Sequence, residues 1–529
     1  MNHQSREQQL SNIRGTKDLW DVVVIGGGAT GLGVALDASS RGLKTLLIER
    51  FDFTKGTSSR STKLVHGGVR YLRQGQVSLV LEALKERGLL KKNAPHLVRP
   101  LRFVLPAFKW WERYFYTIGL KLYDLLARRL SFGKSVMLSK QEVSQAVSTL
   151  ESSKLRGGVL YYDGQMDDAR LGLALAKTAF REGATVLNYC EAIDFAYDEQ
   201  GQVNQVTFKD HLASSHETQE YTIDTRSVVN ATGVFVDELR LLEDQKQKPL
   251  IKPSQGAHLI LPKSFLPGNS GIIFPETADG RVLFAIPWFD RALVGTTDHF
   301  KEKPESEPVP LESELQEILT LLKEHLRPAP ENSDVLSVFA GLRPLVVPDR
   351  QQNSATISRE HTVIFGQSGI CHVTGGKWTT YRKMAEDVLE ALSHRGFIPS
   401  SACQTEKLKL VGWQIEVDNI DHISIYGAER QQVNELSQTL SDGQEKLHPR
   451  LPYIQAEVIY AVRNEWAVTV EDVLSRRTRA LLLDAQASIE CAPLVAKLMA
   501  KELNHTQTWI DEQIVHYQKL AQAYLWPNS

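Results

Sequence analysis

The sequence predicts an α/β protein with a second, antiparallel sheet and a helical C-terminal region, and three observations support this. Near the N-terminus, a valine-rich run ends in three glycines and leads into a helical segment and another apolar run. Across residues 251–297, apolar and aromatic residues alternate with turns. After about residue 400, nearly every segment has helical periodicity. Because apolar spacing follows the period of the backbone, each pattern predicts a different architecture.

The N-terminal segment has the order of a strand–helix–strand unit. "DVVVI" (residues 21–25) is too short for a helix and rich in valine, which predicts a buried parallel strand. "ATGLGVALDASSR" contains helix formers with small residues on one face, and "KTLLIE" predicts a second strand that ends at Glu49. Two strands joined by a helix in this way are typical of a nucleotide-binding fold.

The glycines after the first strand match the pattern G-x-G-x-x-G at Gly26, Gly28 and Gly31. The first glycine permits the turn, the second lets the backbone approach a pyrophosphate, and the third lets the helix pack on the strand. Glu49 follows about 20 residues later, where a carboxylate accepts hydrogen bonds from ribose hydroxyls and repels a 2′-phosphate. The motif therefore predicts a bound dinucleotide and leaves NAD or FAD open.

Composition excludes several classes of protein. The formal net charge of −2 argues against a protein that binds nucleic acid through its phosphates. The four cysteines have neither disulfide-framework nor zinc-site spacing, so we expect no metal site and a reducing cytosol. No segment supplies the roughly 20 apolar residues that a membrane-spanning helix needs, so we expect none. The 529 residues predict two or three cores, with a boundary near residue 400.

Further motifs follow along the chain in this order: "TSSRSTKLVHGGVRYL", "YYDGQMDDARL", "VVNATGVFVD", "GAHLIL", "FAIPW", "LVGTTD", "GLRPLV", "SREH" and "VTGGKWTTYRKMAE". With the glycine-rich start, they make residues 20–390 resemble the FAD-dependent, quinone-linked glycerol-3-phosphate dehydrogenase family, within the glycine-oxidase-like and D-amino-acid-oxidase-like flavoenzymes. The resemblance implies an FAD-binding Rossmann-like domain and an antiparallel-sheet substrate domain interleaved over residues 1–400. It also implies an all-α domain over residues 401–529.

The resemblance implies which residues hold FAD. "NATG" ends a buried strand in small residues, and "GGKWTT" precedes a strong helix whose first amides can face a flavin carbonyl. The loop at residues 57–63 passes beneath the cofactor. The implied cofactor-binding residues are Gly26, Gly28, Ala29, Thr30, Gly31, Glu49, Ser58, Ser59, Lys63, Ala231, Thr232, Gly233, Gly375, Gly376, Lys377 and Thr379.

Oxidation of an alcohol that carries a phosphate requires cations for the dianion and a base for the hydroxyl proton. The candidate substrate-binding residues are Arg70, Tyr71, Arg359 and Lys377, and the candidate catalytic residues are His66, His258 and Arg343. Arg343 is also a candidate for the phosphate. The two histidines remain open as the base, with His66 ranked first, and we expect His66, Arg70 and Tyr71 on a short strand or turn.

The implied reaction converts glycerol 3-phosphate to dihydroxyacetone phosphate and passes electrons to a membrane quinone. The absence of a long insertion favours quinone over the oxygen used by the related oxidases. A flavoenzyme acting on an amino acid and a non-catalytic flavin-binding module stay open as alternatives. Four cations argue against the amino acid, since a carboxylate needs about one arginine.

Two segments are candidates for membrane contact. Residues 103–132 mix aromatic and apolar residues with Lys109, Arg113, Lys121, Arg128 and Arg129, as interfacial helices do, although the sequence alone slightly favours a core helix pair. The second candidate surface contains Trp466, Arg476, Arg477 and Arg479. We expect a cytoplasmic protein attached peripherally to the inner face of the cell membrane, and we keep a homodimer as a candidate assembly.

Overall fold

The structure, a computed structural model, describes residues 6–15, 19–73, 75–212, 219–274, 282–347, 361–415 and 422–527. The strands in these ranges are β1 (Val22–Ile25), β2 (Thr45–Ile48), β3 (Leu64–Val65), β4 (Val98–Ala107), β5 (Val136–Leu138), β6 (Gly157–Met166), β7 (Thr185–Leu187), β8 (Cys190–Tyr197), β9 (Val203–Asp210), β10 (Gln219–Asp224), β11 (Val228–Asn230), β12 (Ile251–Pro262), β13 (Ser270–Phe274), β14 (Leu283–Trp288), β15 (Arg291–Gly295), β16 (His299–Phe300), β17 (Ser337–Val346), β18 (His361–Phe365) and β19 (Cys371–Gly375).

The α-helices in the same ranges are α1 (Arg6–Gly15), α2 (Ala29–Ser40), α3 (Val69–Arg73), α4 (Val77–Asn93), α5 (Glu112–Ala127), α6 (Lys140–Ala146), α7 (Asp168–Arg181), α8 (Val236–Glu243), α9 (Glu312–His325), α10 (Tyr381–His394), α11 (Arg430–Thr439), α12 (Gln455–Asn464), α13 (Ala480–Leu483), α14 (Ala485–Leu503) and α15 (Gln507–Gln522). A π-helical turn covers Asp472–Arg477. None of the helices described is long and apolar enough to cross a bilayer.

The first sheet is the predicted nucleotide-binding sheet, with strand order β18-β19-β11-β1-β2-β7. Strand β1 pairs in parallel with β2 on one side and with β11 on the other. The strand order therefore reverses beside β1, and a crevice opens at the carboxyl ends of β1 and β11, where such sheets bind their ligands. Helix α2 packs against α7 and α10 over this sheet. The predicted strand–helix–strand unit is confirmed.

The second sheet has the order β16-β12-β15-β14-β13-β4-β6-β3, with β17 also paired to β12 and β5 to β6. Its pairs are antiparallel except β4 with β13. This confirms the predicted antiparallel sheet. In the β12–β17 pair, Ser254 lies opposite Arg343 and His258 lies opposite Phe339. Because side chains alternate along a strand, these four residues share one face of the sheet.

The C-terminal helices pack on the second sheet, since one apolar cluster includes Leu101 and Phe103 of β4 together with Val458, Leu481 and Val495. The predicted helical C-terminal region is confirmed. The helical periodicity seen after about residue 400 does not hold directly after α12, which ends at Asn464. There Trp466 adopts a left-handed φ of 53° and packs edge-on against Phe53 and Phe180, so tertiary packing overrides the local helical pattern.

The arginine-rich surface predicted in the C-terminal region is wrong, because these side chains are internal. Trp466, Arg476, Arg477 and Arg479 are all buried. Arg476 and Arg477 form ion pairs with Asp52, which lies just after β2. A charge cluster that neutralises a distant buried carboxylate cannot meet a lipid headgroup.

Helix α5, in the other membrane candidate, has one buried and one exposed side. Leu120 and Tyr123 face the interior. The exposed aromatic and aliphatic residues of the helix and the turn before it are Trp110, Trp111, Tyr114, Phe115, Ile118, Leu122 and Leu125. Residues 103–107 of the same region belong to β4 (Val98–Ala107) instead of a helix. The prediction of a core helix pair is therefore wrong, and α5 presents an apolar face to the outside.

Candidate active site

A cavity of about 690 Å³ opens at the carboxyl edge of the first sheet and extends to the face of β12 and β17. Its walls include the ends of β1, β11 and β19, the start of β8, helix α8, the loop at residues 54–62, the turn that carries His66, and the second sheet. A cavity of this size holds a large organic ligand.

The glycine-rich turn shapes one end of the cavity. Gly26 has a φ of +113°, and a Cβ on it would lie 2.6 Å from the Ala231 carbonyl oxygen. A Cβ on Gly31 would overlap the carbonyl oxygen of Gly26. The Ala29 amide, at the start of α2, donates to Ser58 Oγ at 2.9 Å. The backbones of β1 and β11 thus meet closely beside a helix N-terminus, as a pyrophosphate site requires.

Glu49 lies in the cavity wall with its carboxylate oriented by the backbone. Its Oε2 accepts from the Gly27 amide at 2.6 Å, and its Oε1 accepts from the Phe51 amide at 2.8 Å. Burial raises the pKa of Glu49, and the two amides oppose that rise. Each oxygen keeps a further lone pair, which a ribose hydroxyl can use.

The two candidate bases approach the cavity differently. His258 is only 2% exposed, its Nε2 lies 3.0 Å from Thr62 Oγ1, and its ring stacks on Phe339. Burial, with the charges of Lys63 and Arg343, holds the pKa of His258 well below its usual value, so this ring is neutral. His66 is half-buried in the cavity wall, and its amide donates to Thr379 Oγ1 at 3.3 Å.

Two of the predicted cations, Arg343 and Lys377, line the cavity together with the two histidines. Arg343 donates to Thr296 Oγ1 at 3.1 Å and to Asp298 Oδ1 at 3.3 Å. Gly256 makes room for it, since a Cβ there would lie 2.5 Å from Arg343 Nη2. Lys377 Nζ lies 4.0 Å from the ring centre of Tyr71, within cation–π range.

The strand or turn expected for Arg70 and Tyr71 is wrong, because both lie on the short helix α3. Gly68, with a φ of +73°, turns the chain before this helix, and the Tyr71 ring packs against it. The side chain of Arg70 and the whole of Arg359 lie outside the described residues.

Ser59 and Lys63 belong to the loop at residues 57–63, here called the cofactor loop, but they do not line the cavity. Lys63 Nζ donates to Asp168 Oδ2 at 2.7 Å and to the Ser59 carbonyl at 2.8 Å, and Arg479 donates to the same carbonyl at 2.7 Å. Burial lowers the pKa of Lys63 to about 7; Asp168 opposes that effect and Arg479 adds to it. These contacts support the loop on the side away from the cavity. A direct contact of Ser59 or Lys63 with FAD stays a prediction.

The structure brings most of the predicted residues together. The predicted residues that line the cavity are Gly26, Gly28, Ala29, Thr30, Glu49, Ser58, His66, Ala231, Thr232, Gly233, His258, Arg343, Gly375, Gly376, Lys377 and Thr379. Gly31, Ser59, Lys63 and Tyr71 lie behind these walls. No cluster of metal-ligating side chains occurs in the part of the chain that the structure describes.

Sequence reasoning missed several residues that orient the site. Thr62 contacts His258, and Thr296 and Asp298 hold Arg343. Asp168 binds both Ser61 and Lys63. The available signal was "LVGTTD", in which polar residues follow a buried strand directly.

Two family models match the chain. The FAD dependent oxidoreductase family matches residues 21–382, and the C-terminal domain of alpha-glycerophosphate oxidase matches residues 369–510. The first match includes the two large sheets, a three-stranded sheet with the order β10-β9-β8, and the walls of the cavity. The tight glycine turn and the oriented Glu49 carboxylate suit a dinucleotide, so the cofactor of this cavity is FAD.

The chain is 39% identical to the mitochondrial glycerol-3-phosphate dehydrogenase of Homo sapiens, over 99% of this chain and 75% of that protein. The mitochondrial enzyme of Arabidopsis thaliana is also 39% identical, over 92% of this chain and 83% of its own. The glycerol-3-phosphate dehydrogenase of Bacillus halodurans, solved with FAD, superposes with a TM-score of 0.80 at 30% identity and 99% coverage of both chains. Glycine oxidase from Geobacillus kaustophilus shares the fold, with a TM-score of 0.50 at 17% identity, over 76% of this chain and 99% of that one. The chain therefore belongs to the FAD-dependent glycerol-3-phosphate dehydrogenase family.

Proposed function

We propose that this protein oxidises sn-glycerol 3-phosphate to dihydroxyacetone phosphate and delivers the electrons to a membrane quinone. The observation that carries the proposal is that His66, Arg343 and Lys377 line the same cavity as the dinucleotide turn. These groups supply a base and cations beside the cofactor, which are the two requirements of a phosphorylated alcohol.

The phosphate dianion binds to the cations, and this fixes the position of carbon 2. Arg343 lines the cavity and is held by Thr296 and Asp298, and Lys377, also in the cavity wall, lies over the ring of Tyr71. Arg70 and Arg359 are further candidates for the phosphate. A planar guanidinium binds two phosphate oxygens at once, so Arg343 also orients the substrate.

The hydroxyl proton moves to a ring nitrogen of His66 as carbon 2 loses hydrogen with its bonding electron pair and the carbonyl double bond forms. When bound, FAD supplies the two-electron acceptor for that hydride. We assign the proton to His66 because His258 lies in surroundings that disfavour its charged form: burial, Lys63 and Arg343 all lower its pKa. His258 instead offers the substrate a neutral ring.

Helix α5 provides the proposed membrane contact, at the inner face of the cell membrane. Trp110, Ile118 and Leu125 are 72–75% exposed. The exposed charges of the same segment are basic, at Lys109, Lys121 and Arg128, whereas its acidic residues are buried at Glu112 and half-buried at Asp124. An exposed apolar face flanked by cations suits a bilayer that contains anionic lipid. Attachment there brings the enzyme to the layer in which quinone is dissolved.

The substrate is tested by anaerobic titration of the FAD-bound enzyme. We expect glycerol 3-phosphate to bleach the flavin absorbance within seconds, while glycine and proline leave it unchanged. Bleaching by an amino acid alone would establish the amino-acid-oxidising alternative, and no bleaching by any of them would support a non-catalytic flavin protein.

The acceptor is tested by reoxidising the bleached enzyme. We expect a soluble quinone analogue to restore the flavin absorbance much faster than air-saturated buffer. The reverse order, with stoichiometric hydrogen peroxide, would show an oxidase.

A further inference from the structure

A buried hydrogen-bond network lies directly behind the turn that carries His66. The Gly67 amide donates to Tyr123 Oη at 2.9 Å and to Asp163 Oδ1 at 3.2 Å. The Tyr123 hydroxyl donates to Asp163 Oδ2 at 3.1 Å, and Arg87 Nη1 donates to Asp163 Oδ1 at 2.6 Å. Helices α4 and α5 and strand β6 thus each contribute one group that converges on the turn.

The turn has no room for a side chain at Gly67. A Cβ on Gly67 would overlap the side chain of Leu84 and the Tyr123 hydroxyl, and Gly68 has a φ of +73°. On the other side, the His66 amide donates to Thr379. The backbone beside His66 is therefore held between the network and the start of α10, and the position of the backbone sets that of the ring.

Burying this network costs desolvation free energy. Tyr123, Asp163 and Arg87 are at most 3% exposed, and Tyr123 belongs to an otherwise apolar cluster with Leu64, Leu84 and Phe103. Burial raises the pKa of Asp163 and Arg87 opposes the rise. Replacing a buried ion pair by apolar residues of similar volume is often neutral or stabilising. The polar groups of this network are therefore better explained by the position that they fix than by the stability that they add.

We infer that Tyr123, backed by Asp163 and Arg87, is a positioning residue that fixes the His66–Gly67 backbone at the reactive end of the cavity. The inference rests on the proposed role of His66 in proton transfer. A displacement of about 1 Å at a reacting group lowers rates by up to about 100-fold. The hydroxyl of Tyr123 acts at a distance from the substrate, through the amide next to the base.

The test is Tyr123→Phe in the FAD-bound enzyme, measured by anaerobic stopped-flow reduction with glycerol 3-phosphate. We expect the limiting rate of flavin reduction to fall roughly 10-fold or more, while the half-saturating substrate concentration changes less than about 3-fold, because the cations are untouched. Tyr161→Phe is the matched control, since its ring contacts that of Tyr123 in the same cluster. We expect it to reduce FAD at the normal rate.

The double variant separates positioning from loss of structure. If Tyr123 acts through His66, Tyr123→Phe should have little further effect in a His66→Ala background, because coupled residues are non-additive. The inference is overturned if Tyr123→Phe reduces FAD at the normal rate, or if it slows the His66→Ala enzyme by the same factor as the wild type. Failure of the proposed function itself is separate, since the wild-type flavin would then not be bleached by glycerol 3-phosphate.

Discussion

At the scale of single residues, Gly28 is the position where the cofactor requires a residue without a side chain. It lines the cavity, and the nearest atom to a Cβ built on it is Ser58 Oγ at 3.1 Å. A Cβ there would therefore press on the Ser58 hydroxyl, and the open side of Gly28 faces the cavity.

Gly28→Val should abolish FAD binding, because the branched side chain would occupy the path of the pyrophosphate. The measurement is the ratio of flavin to protein absorbance after purification. Gly119→Val, at a glycine of α5 with no neighbour within 4 Å of its Cβ, should keep its flavin. A yellow Gly28→Val protein would contradict the assignment of this turn to FAD.

Arg343→Ala should weaken binding of glycerol 3-phosphate and leave the slow use of glycerol nearly unchanged, since glycerol has no phosphate. Removing a charge-assisted contact with a buried dianion costs roughly 2 to 5 kcal/mol, or about 30- to 5,000-fold in affinity. The dependence of the flavin-reduction rate on the concentration of each substrate measures this. Equal losses for both substrates would place Arg343 at the reacting carbon instead of the phosphate.

At the scale of elements, the strongest local patterns became the expected structures and the weaker ones did not. Strand β1 and helix α2 follow from valine and glycine spacing within about 20 residues of chain. The polar stretch after β3 has no sustained spacing of apolar residues. There the chain turns at Gly68, the Tyr71 ring packs against that turn, and α3 follows. Short-range spacing therefore predicts an element only where the period is sustained.

Ile118→Glu should reduce binding to vesicles of phosphatidylcholine with phosphatidylglycerol by roughly 10-fold or more, because it removes apolar burial and adds a charge repelled by the anionic lipid. Co-sedimentation with the vesicles measures the bound fraction. Val515→Glu, at a comparably exposed residue of α15, serves as the control. Membrane contact through α5 is refuted if both variants bind as the wild type does.

At the scale of the whole molecule, the C-terminal region stabilises the floor of the active site. Arg479 donates to the Ser59 carbonyl and to Asp168, which also binds Lys63. Arg476 and Arg477 neutralise Asp52 at the end of the first sheet. The helices therefore hold the cofactor loop through buried ion pairs.

Lys63 makes the unfolding free energy of the protein depend on pH. Its pKa falls from about 10.5 in the unfolded chain to about 7 in the folded protein. Between these values the unfolded chain holds a proton that the folded protein has released, so stability should rise with pH by at most about 1.4 kcal/mol per unit. Below about pH 7 both states are protonated, and this contribution stops changing.

Urea unfolding of the wild type and of Lys63→Met, from pH 7 to 10, measures the effect. The difference in unfolding free energy between the two should shift in favour of the wild type as pH rises. A constant difference would show that Lys63 keeps its charge and pairs with Asp168 throughout.

The sequence by itself determined the nucleotide-binding unit, the antiparallel sheet and the helical C-terminal region, and most of the site residues that its family resemblance implied do line the cavity. These depend on local spacing and on motifs at strand ends, and parallel strand ends meet at one edge of a sheet whatever surrounds them. Only the tertiary structure decided which basic segment is exposed. Arg477 is buried in contact with Asp52, which lies 425 residues away in the chain. Ile118 is exposed because the described structure leaves that side of α5 uncovered. Both segments combine apolar and basic residues, so composition does not separate them. Burial depends on contacts with distant parts of the chain.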